Sequence, residues 1–124
     1  MVKAGVNTGM GTDSGPNGRF PGFNAHEEMQ LEVMAGRSTM DAIKSATSDN
    51  ARWLGDKTIG SIEQGKWADI LVLEKNPLDD IRNTQMIAAV YIAGNAMPTV
   101  WQTCRDRKAG ECTGKSTDLP HMPY

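Results

Sequence analysis

The sequence predicts an α/β chain that folds as a compact mixed α+β unit. Three observations support this fold class. A short apolar segment at Val6–Met10 precedes a glycine-rich loop, good helix formers fill residues 25–54, and strand-like apolar segments occupy residues 59–101. The chain therefore has a helical first half and a strand-forming second half.

The composition is that of an ordinary soluble domain. The 124 residues carry a formal net charge of −2, with 39% hydrophobic and 23% charged residues. Lys and Arg are scattered, which does not favour a nucleic-acid partner. No apolar run approaches the roughly 18 residues that span a bilayer, and the first residues lack the apolar core of a signal peptide. We therefore expect neither nucleic-acid nor membrane partners.

The loop after the first predicted strand is the first candidate for a functional site. Between Gly9 and Gly22 it contains five glycines and two prolines, which oppose regular structure. Loops that directly follow a strand are where α/β proteins commonly place chemistry. Taken by itself, Asp13 in this loop is also compatible with a turn aspartate that bonds its own backbone.

Three helices are predicted between this loop and residue 55. The first covers residues 25–35, and His26 sits just before its apolar face, on the loop side. Ser38 and Asp41 form a capping box that starts the second helix. The third is short, covers about Asp49–Leu54, and ends at a glycine.

Strands are predicted in the second half of the chain. Ile59–Ile62 is a short candidate, and the continuous apolar run in Ala68–Leu73 predicts a strand buried on both faces. Met86–Ile92 predicts another strand. Gly94-Asn95 predicts a hairpin turn, with a return strand in Ala96–Trp101.

The polar tail contains Cys104 and Cys112, and the sequence leaves their state open. A disulfide would indicate an oxidising, periplasmic or secreted location, whereas two free thiols would fit the cytoplasm. His121 lies in the same irregular tail and is expected to be incidental.

Two motifs at a characteristic separation add a family resemblance. They are GTDSG at residues 11–15 and IGSIEQGKWADILVL at residues 59–73, the second followed by NPLDDI. From about residue 4 to residue 95, their order and spacing resemble the C-terminal third of the amidohydrolase superfamily. The most similar members are imidazolonepropionase-like and prolidase-like enzymes. Thr39 and Gln64 stand where the family commonly has proline, and Trp67 stands where it commonly has leucine.

The resemblance implies a specific architecture. Residues 1–56 would be the last strand, the GTDSG loop and the helices of a (β/α)8 barrel. Residues 57–102 would be strands of a small composite β-sandwich domain, and residues 103–124 an irregular tail. A complete barrel takes roughly 250 residues, so we expect this chain to be a fragment. Unpaired strand edges and uncovered helix faces then predict a homo-oligomer.

The resemblance also implies a catalytic site. It makes Asp13 the catalytic residue, acting as metal ligand and general base, and it makes Ser14, Gly15 and His26 substrate-binding residues. The implied cofactor is a divalent metal, with zinc expected in the full-length family. Metal binding lowers the pKa of water to about 7, and a neighbouring carboxylate can pass its proton to the leaving nitrogen. Because the family's other histidine ligands are missing, we expect this chain alone not to bind the metal tightly.

The function that follows is a metal-dependent hydrolase of C–N bonds in a small amide, cyclic amide or dipeptide. Two alternatives remain open at this point. One is a non-catalytic α+β remnant or binding module. The other is a serine-type esterase that uses Ser14 with Asp13 and His26, although adjacent Asp and Ser residues do not easily adopt triad geometry.

Overall fold

The computed structural model describes residue 6, residues 8–15 and residues 21–97. Helices fill the first half of this part of the chain, and a three-stranded antiparallel sheet fills the second half. The predicted mixed α/β class is therefore confirmed. The finer assignment to a barrel and a β-sandwich, with boundaries after residues 56 and 102, stays a prediction. The helices are α1 (Phe23–Met34), α2 (Thr39–Lys44) and α3 (Asn50–Leu54), and the strands are β1 (Ile70–Leu73), β2 (Ile87–Ile92) and β3 (Asn95–Met97).

Helix α1 begins two residues before its predicted start. It follows Gly22, whose φ of 87° is a left-handed conformation that glycine adopts without steric cost. Its last residue is Met34, one residue earlier than predicted. Because the helix starts earlier than predicted, His26 is its fourth residue and lies within the first turn of α1.

Helices α2 and α3 form one continuous helical segment. The predicted capping box is confirmed, since the Asp41 backbone N–H donates to Ser38 Oγ at 3.1 Å. A π-helical turn, Ser45–Asp49, joins the two helices, which the sequence predicted as separate elements. The segment ends at Gly55, which has the left-handed φ of 72° typical of a helix stop. No helix in the described ranges combines the length and hydrophobicity needed to cross a membrane.

The sheet has the order β1-β2-β3, and both pairs are antiparallel. A two-residue turn joins β2 to β3. Its central residues are Ala93 and Gly94, with φ values of 50° and 80°, as a type I′ hairpin turn requires. The predicted turn was one residue too late. The return strand is confirmed as far as Met97, and its predicted end at Trp101 lies outside the described residues.

Two strand predictions and one prediction of burial are wrong for the described residues. The segment Val6–Met10 has no strand structure at its described positions, because a strand needs a hydrogen-bonding partner and the sheet consists of β1, β2 and β3. Ile59–Ile62 is irregular, since Gly60 has a φ of 89°, which no regular strand contains. Strand β1 is not buried on both faces, because Leu71 and Val72 are exposed.

A 3-10 helix, Ile81–Gln85, precedes β2 and was not predicted. The side chain of Asp80 caps it by accepting a hydrogen bond from the Arg82 backbone N–H at 2.9 Å. Ile81 of this helix belongs to the main apolar cluster, together with Met29 of α1 and Ala42 of α2. The core therefore lies between the two helices and the 3-10 helix.

The core of the described part is small, and many large apolar side chains lie outside it. Met34 is 82% exposed and Ile62 is 87% exposed, and both tryptophans of the described part are also mainly exposed. Apolar surface of this kind is typical of an interaction surface. The homo-oligomer expected from the sequence stays a prediction.

We expect Ile81→Ala to destabilise the chain strongly. Ile81 is 5% exposed and joins the 3-10 helix to the helices, so its truncation leaves a cavity that costs about 2–5 kcal/mol. The measurement is urea unfolding followed by circular dichroism. The matched control is Ile62→Ala at an exposed position, which should change the free energy of unfolding by less than about 0.5 kcal/mol. Equal effects of the two substitutions would contradict this assignment of the core.

Candidate functional site

The loop Gly11–Gly15 presents Asp13 on the surface. Asp13 has a left-handed φ of 44°, which is uncommon for residues other than glycine but tolerated by aspartate. Ser14 Oγ donates a hydrogen bond to Thr12 Oγ1 at 2.9 Å across this residue. A backbone conformation of this kind persists where the surrounding contacts hold it, and functional loops commonly contain one.

Asn50 of α3 holds the segment that leads into this loop. Its Nδ2 donates to the Met10 carbonyl at 2.9 Å, and the Met10 N–H donates to the Ser45 carbonyl at 3.4 Å. A Cβ added at Gly9 would lie 2.3 Å from Asn50 Oδ1, so a side chain at residue 9 would displace the Asn50 amide from this position. Both polar backbone groups of Met10 are thus fixed by the helical segment, three residues before Asp13.

A second set of polar contacts supports the same segment. The fully buried Ser45 places its Oγ 2.6 Å from Glu32 Oε2 and 2.8 Å from the Ala42 carbonyl, with one proton for these two acceptors. Arg37 Nη1 lies 3.0 Å from Glu32 Oε2, and Arg37 Nη2 donates to the Thr8 carbonyl at 3.5 Å. The Glu32 and Arg37 side chains are only 17% and 12% exposed, so this ion pair is largely shielded from water.

His26 is directed to a different partner. Its Nδ1 lies 3.0 Å from Thr84 Oγ1 in the 3-10 helix, 58 residues further along the chain. Partial burial lowers the pKa of His26 below its ordinary value of 6.5, because desolvation disfavours the charged imidazolium. The ring is therefore mainly neutral at pH 7.

His26 and Met10 also line a cavity of about 720 Å³ between the helices and the sheet. A volume of this size falls within the range of ligand pockets. Its walls are mostly apolar, and the charged residues among them are Glu63, Lys66 and Asp69. Asp13 is not among the lining residues, although Met10 links the loop to the cavity.

The structure groups the predicted site residues in two places. Asp13, Ser14 and Gly15 share the loop, whereas His26 is bonded to Thr84. Because Ser14 donates to Thr12, the described hydrogen bonds contain no Ser–His pair of the kind a serine esterase needs. Within the described ranges, no cluster of three or more His, Cys, Asp or Glu side chains is arranged to hold a metal. Cys104, Cys112 and His121 lie outside the described residues.

The sequence reasoning missed the residues that support the loop. Asn50 gives one weak signal, since asparagine is a poor helix former and its presence in a helix favours a side-chain role. Glu32, Ser45 and Thr84 give none, because their partners are distant in sequence.

Comparisons with known proteins agree on one family. Residues 1–97 match the amidohydrolase family. Ochratoxinase from Aspergillus niger is 37% identical over 92 residues, which cover 72% of this chain and 18% of that protein. A candidate prolidase from Bifidobacterium longum is 42% identical with a TM-score of 0.72, covering 79% of this chain and 24% of that one. A Xaa-Pro dipeptidase crystallised with methionine in its active site is 33% identical with a TM-score of 0.71 and the same coverages. The chain thus spans about a fifth to a quarter of the relatives it matches.

We expect Asn50→Ala to loosen the Asp13 loop. The substitution removes the bond to the Met10 carbonyl, and losing a partner of this kind costs about 1–3 kcal/mol. Hydrogen exchange should accelerate at the amides of residues 10–15 with little change in the sheet.

The matched control is Asn83→Ala, which removes a side-chain bond to the Asn76 carbonyl at 2.8 Å, far from the loop in sequence. It should leave exchange in the loop unchanged. Equal acceleration of the loop in both variants would show that Asn50 has no specific role there.

We also expect the free energy of unfolding to decrease as the pH falls below about 6.5. The folded chain has the lower pKa at His26, so the unfolded chain takes up this proton first and protonation favours unfolding. Above this range both states are neutral and the contribution is constant. Denaturant unfolding at a series of pH values measures the effect, and His26→Gln should remove it.

His121→Gln, the only other histidine substitution the chain offers, serves as control and should preserve the decrease. The hydrogen-bonded carboxylates Asp56, Glu63 and Asp80 have pKa values below their ordinary 3.8 to 4.5, so their stabilisation is lost only at lower pH. A decrease that survives in His26→Gln would contradict the assignment.

Proposed function

The chain belongs to the amidohydrolase family, and we propose that it supplies the general base of a metal-dependent hydrolase of C–N bonds. In this proposal the substrate is a small amide, cyclic amide or dipeptide. The observation that supports it most is the exposed Asp13 on a loop whose preceding backbone is fixed by Ser45 and Asn50. A backbone fixed three residues before Asp13 limits how far the loop that carries this carboxylate can move.

The relatives support the substrate class. The candidate prolidase and the Xaa-Pro dipeptidase are named for dipeptide substrates, and ochratoxinase is named for a small molecule of another kind. We therefore propose the bond type that these enzymes would share, a C–N bond of amide or peptide character, and no single compound.

Asp13 is suited to the two roles that the proposal gives it. No hydrogen bond or ion pair of its carboxylate to another described residue is present, so both oxygens remain open to a ligand. One oxygen would hold a divalent metal, which we propose to be zinc because carboxylates are among its usual ligands. When bound, the metal would supply Lewis-acid character and a water that ionises near neutral pH. The second Asp13 oxygen would take up a proton and return it to the leaving nitrogen.

The neighbouring residues would form the near wall of the substrate site. A Cβ at Gly15 would meet nothing within 4 Å, so open space adjoins the loop there. Ser14 keeps its hydroxyl bonded to Thr12, which makes it a contact residue and not a nucleophile in this proposal. The remaining metal ligands would come from polypeptide outside the described residues.

The test compares Asp13→Asn with Ser14→Ala in the protein that contains this chain. Asp13→Asn keeps the shape of the side chain and removes most of its basicity, so kcat should fall about a hundred-fold to ten-thousand-fold. Ser14→Ala should retain most of the rate. Activity is measured on alanyl-proline and on an amide and ester pair with the same acyl group.

Metal removal provides a second readout. Dialysis against 1,10-phenanthroline should abolish hydrolysis, and added Zn²⁺ should restore it in the unmodified protein but not in Asp13→Asn. Full activity of Asp13→Asn would refute the proposal. Loss of activity in Ser14→Ala with the fold intact would favour the serine esterase instead.

A further inference from the structure

Thr84 is a buried hydroxyl with two hydrogen-bonding neighbours. It is 4% exposed, its Oγ1 donates to the Ile81 carbonyl at 2.8 Å, and the same Oγ1 lies 3.0 Å from His26 Nδ1. The first of these bonds closes a turn of the 3-10 helix, and the second joins that helix to α1. Thr84 therefore fixes the position of one edge of the imidazole ring.

Counting protons assigns the direction of the second bond. A threonine hydroxyl has one proton, and the Ile81 carbonyl can only accept. With that proton assigned to the shorter contact, the Ile81 carbonyl at 2.8 Å, the bond to His26 requires that Nδ1 carries a proton and donates it to Thr84 Oγ1. A neutral imidazole has one N–H, so Nε2 of the same ring is left as an acceptor.

The surroundings of the ring indicate what Nε2 does. His26 and Thr84 both line the cavity of about 720 Å³, and no described residue forms a hydrogen bond with His26 Nε2. Histidines that bind metals also donate their second N–H to a fixed partner. A metal role would need further ligands nearby, however, and no cluster of such ligands exists within the described part of the chain.

We propose that Thr84 is a positioning residue that fixes the His26 tautomer so that Nε2 accepts a hydrogen bond from an N–H group of the substrate. This inference rests on the proposed function for the identity of the ligand, an amide or peptide. The tautomer is inferred from the two contacts of Thr84 and does not depend on that function. Most of the cavity wall is apolar, so an oriented acceptor at His26 would favour ligands that present an N–H at that point.

Nitrogen-15 NMR of the histidine side chains tests the tautomer directly. The sample is the full chain carrying His121→Gln, which leaves His26 as the only histidine signal. At a pH above the His26 titration, we expect the Nδ1–H form to predominate. Thr84→Val keeps the shape and removes the hydroxyl, so it should shift the ring towards the Nε2–H form. Thr84→Ser keeps the hydroxyl, so it should retain the Nδ1–H form.

The His26 tautomer in the protein that keeps Thr84 tests the proposal even if Thr84→Val fails to fold. A predominant Nε2–H form in the protein with Thr84, or a tautomer ratio that Thr84→Val leaves unchanged, would overturn the proposal. A tautomer shift in Thr84→Val that Thr84→Ser reverses would establish Thr84 as the cause, since a general loss of packing would not be rescued by the hydroxyl alone.

Two matched probes test the ligand. N-acetylprolinamide has an amide N–H, whereas N-acetylproline N,N-dimethylamide has none and is otherwise similar. Titration with the first should shift the His26 Nε2 resonance, and titration with the second should not. No shift with either, equal shifts with both, or a stoichiometric shift on adding Zn²⁺ alone would overturn the acceptor role.

These outcomes are separable from those of the proposed function. Asp13→Asn removes catalysis in the proposed mechanism but should leave the His26 tautomer and the probe-induced shift unchanged. An active Asp13→Asn enzyme with the expected tautomer would refute the mechanism alone. Conversely, the wrong tautomer beside an inactive Asp13→Asn enzyme would refute only the role of Thr84.

Discussion

The contact between Asn50 and the backbone of residues 9 and 10 is the constraint on which the candidate site depends. One side-chain amide holds the Met10 carbonyl at 2.9 Å and occupies the space where any side chain at residue 9 would stand. The π-helical turn before Asn50 completes the arrangement, since the carbonyl of its first residue, Ser45, accepts the Met10 N–H. Turns of this kind depart from regular helical bonding and occur often at functional sites. The loop therefore begins from a fixed point, although it has no regular structure of its own.

The sequence predicted the elements whose causes are local. The Ser38–Asp41 capping box and the stop at Gly55 involve residues within one turn of each other, and both were found where expected. The strands that became β1 and β2 were located to within two residues at each end. Segments that depend on distant partners were predicted wrongly. Residues 59–62 have the apolar spacing of a strand, but Gly60 packs on α3, where a Cβ would come within 2.5 Å of the Ala51 methyl group.

The candidate site also combines features that were predictable from the sequence with contacts that were not. Its glycine-rich loop and Asp13 were predictable because the turn preferences of glycine and aspartate depend on the residues themselves and not on distant contacts. The contacts that support the loop were not, because 13 residues separate Glu32 from Ser45 and 40 separate Met10 from Asn50. The bond between His26 and Thr84 spans 58 residues and involves a 3-10 helix that no pattern in the sequence indicated. Single side-chain hydrogen bonds of this kind produce no periodicity, so a pattern search has nothing to detect.

These supports also determine how independent the loop is of its surroundings. Thr8 and Met10 are bonded to Arg37, Ser45 and Asn50, so the Asp13 loop and its anchors all lie within residues 8–50. The exposed apolar side chains, among them Met34, Leu54 and Ile62, take no part in these bonds. Whatever covers that apolar surface adds stability through burial, which is non-directional. The orientation of the loop depends on hydrogen bonds, which are directional and are already formed within the described chain. Stability and site geometry therefore have separate physical origins in this protein, and a partner that changes the first need not change the second.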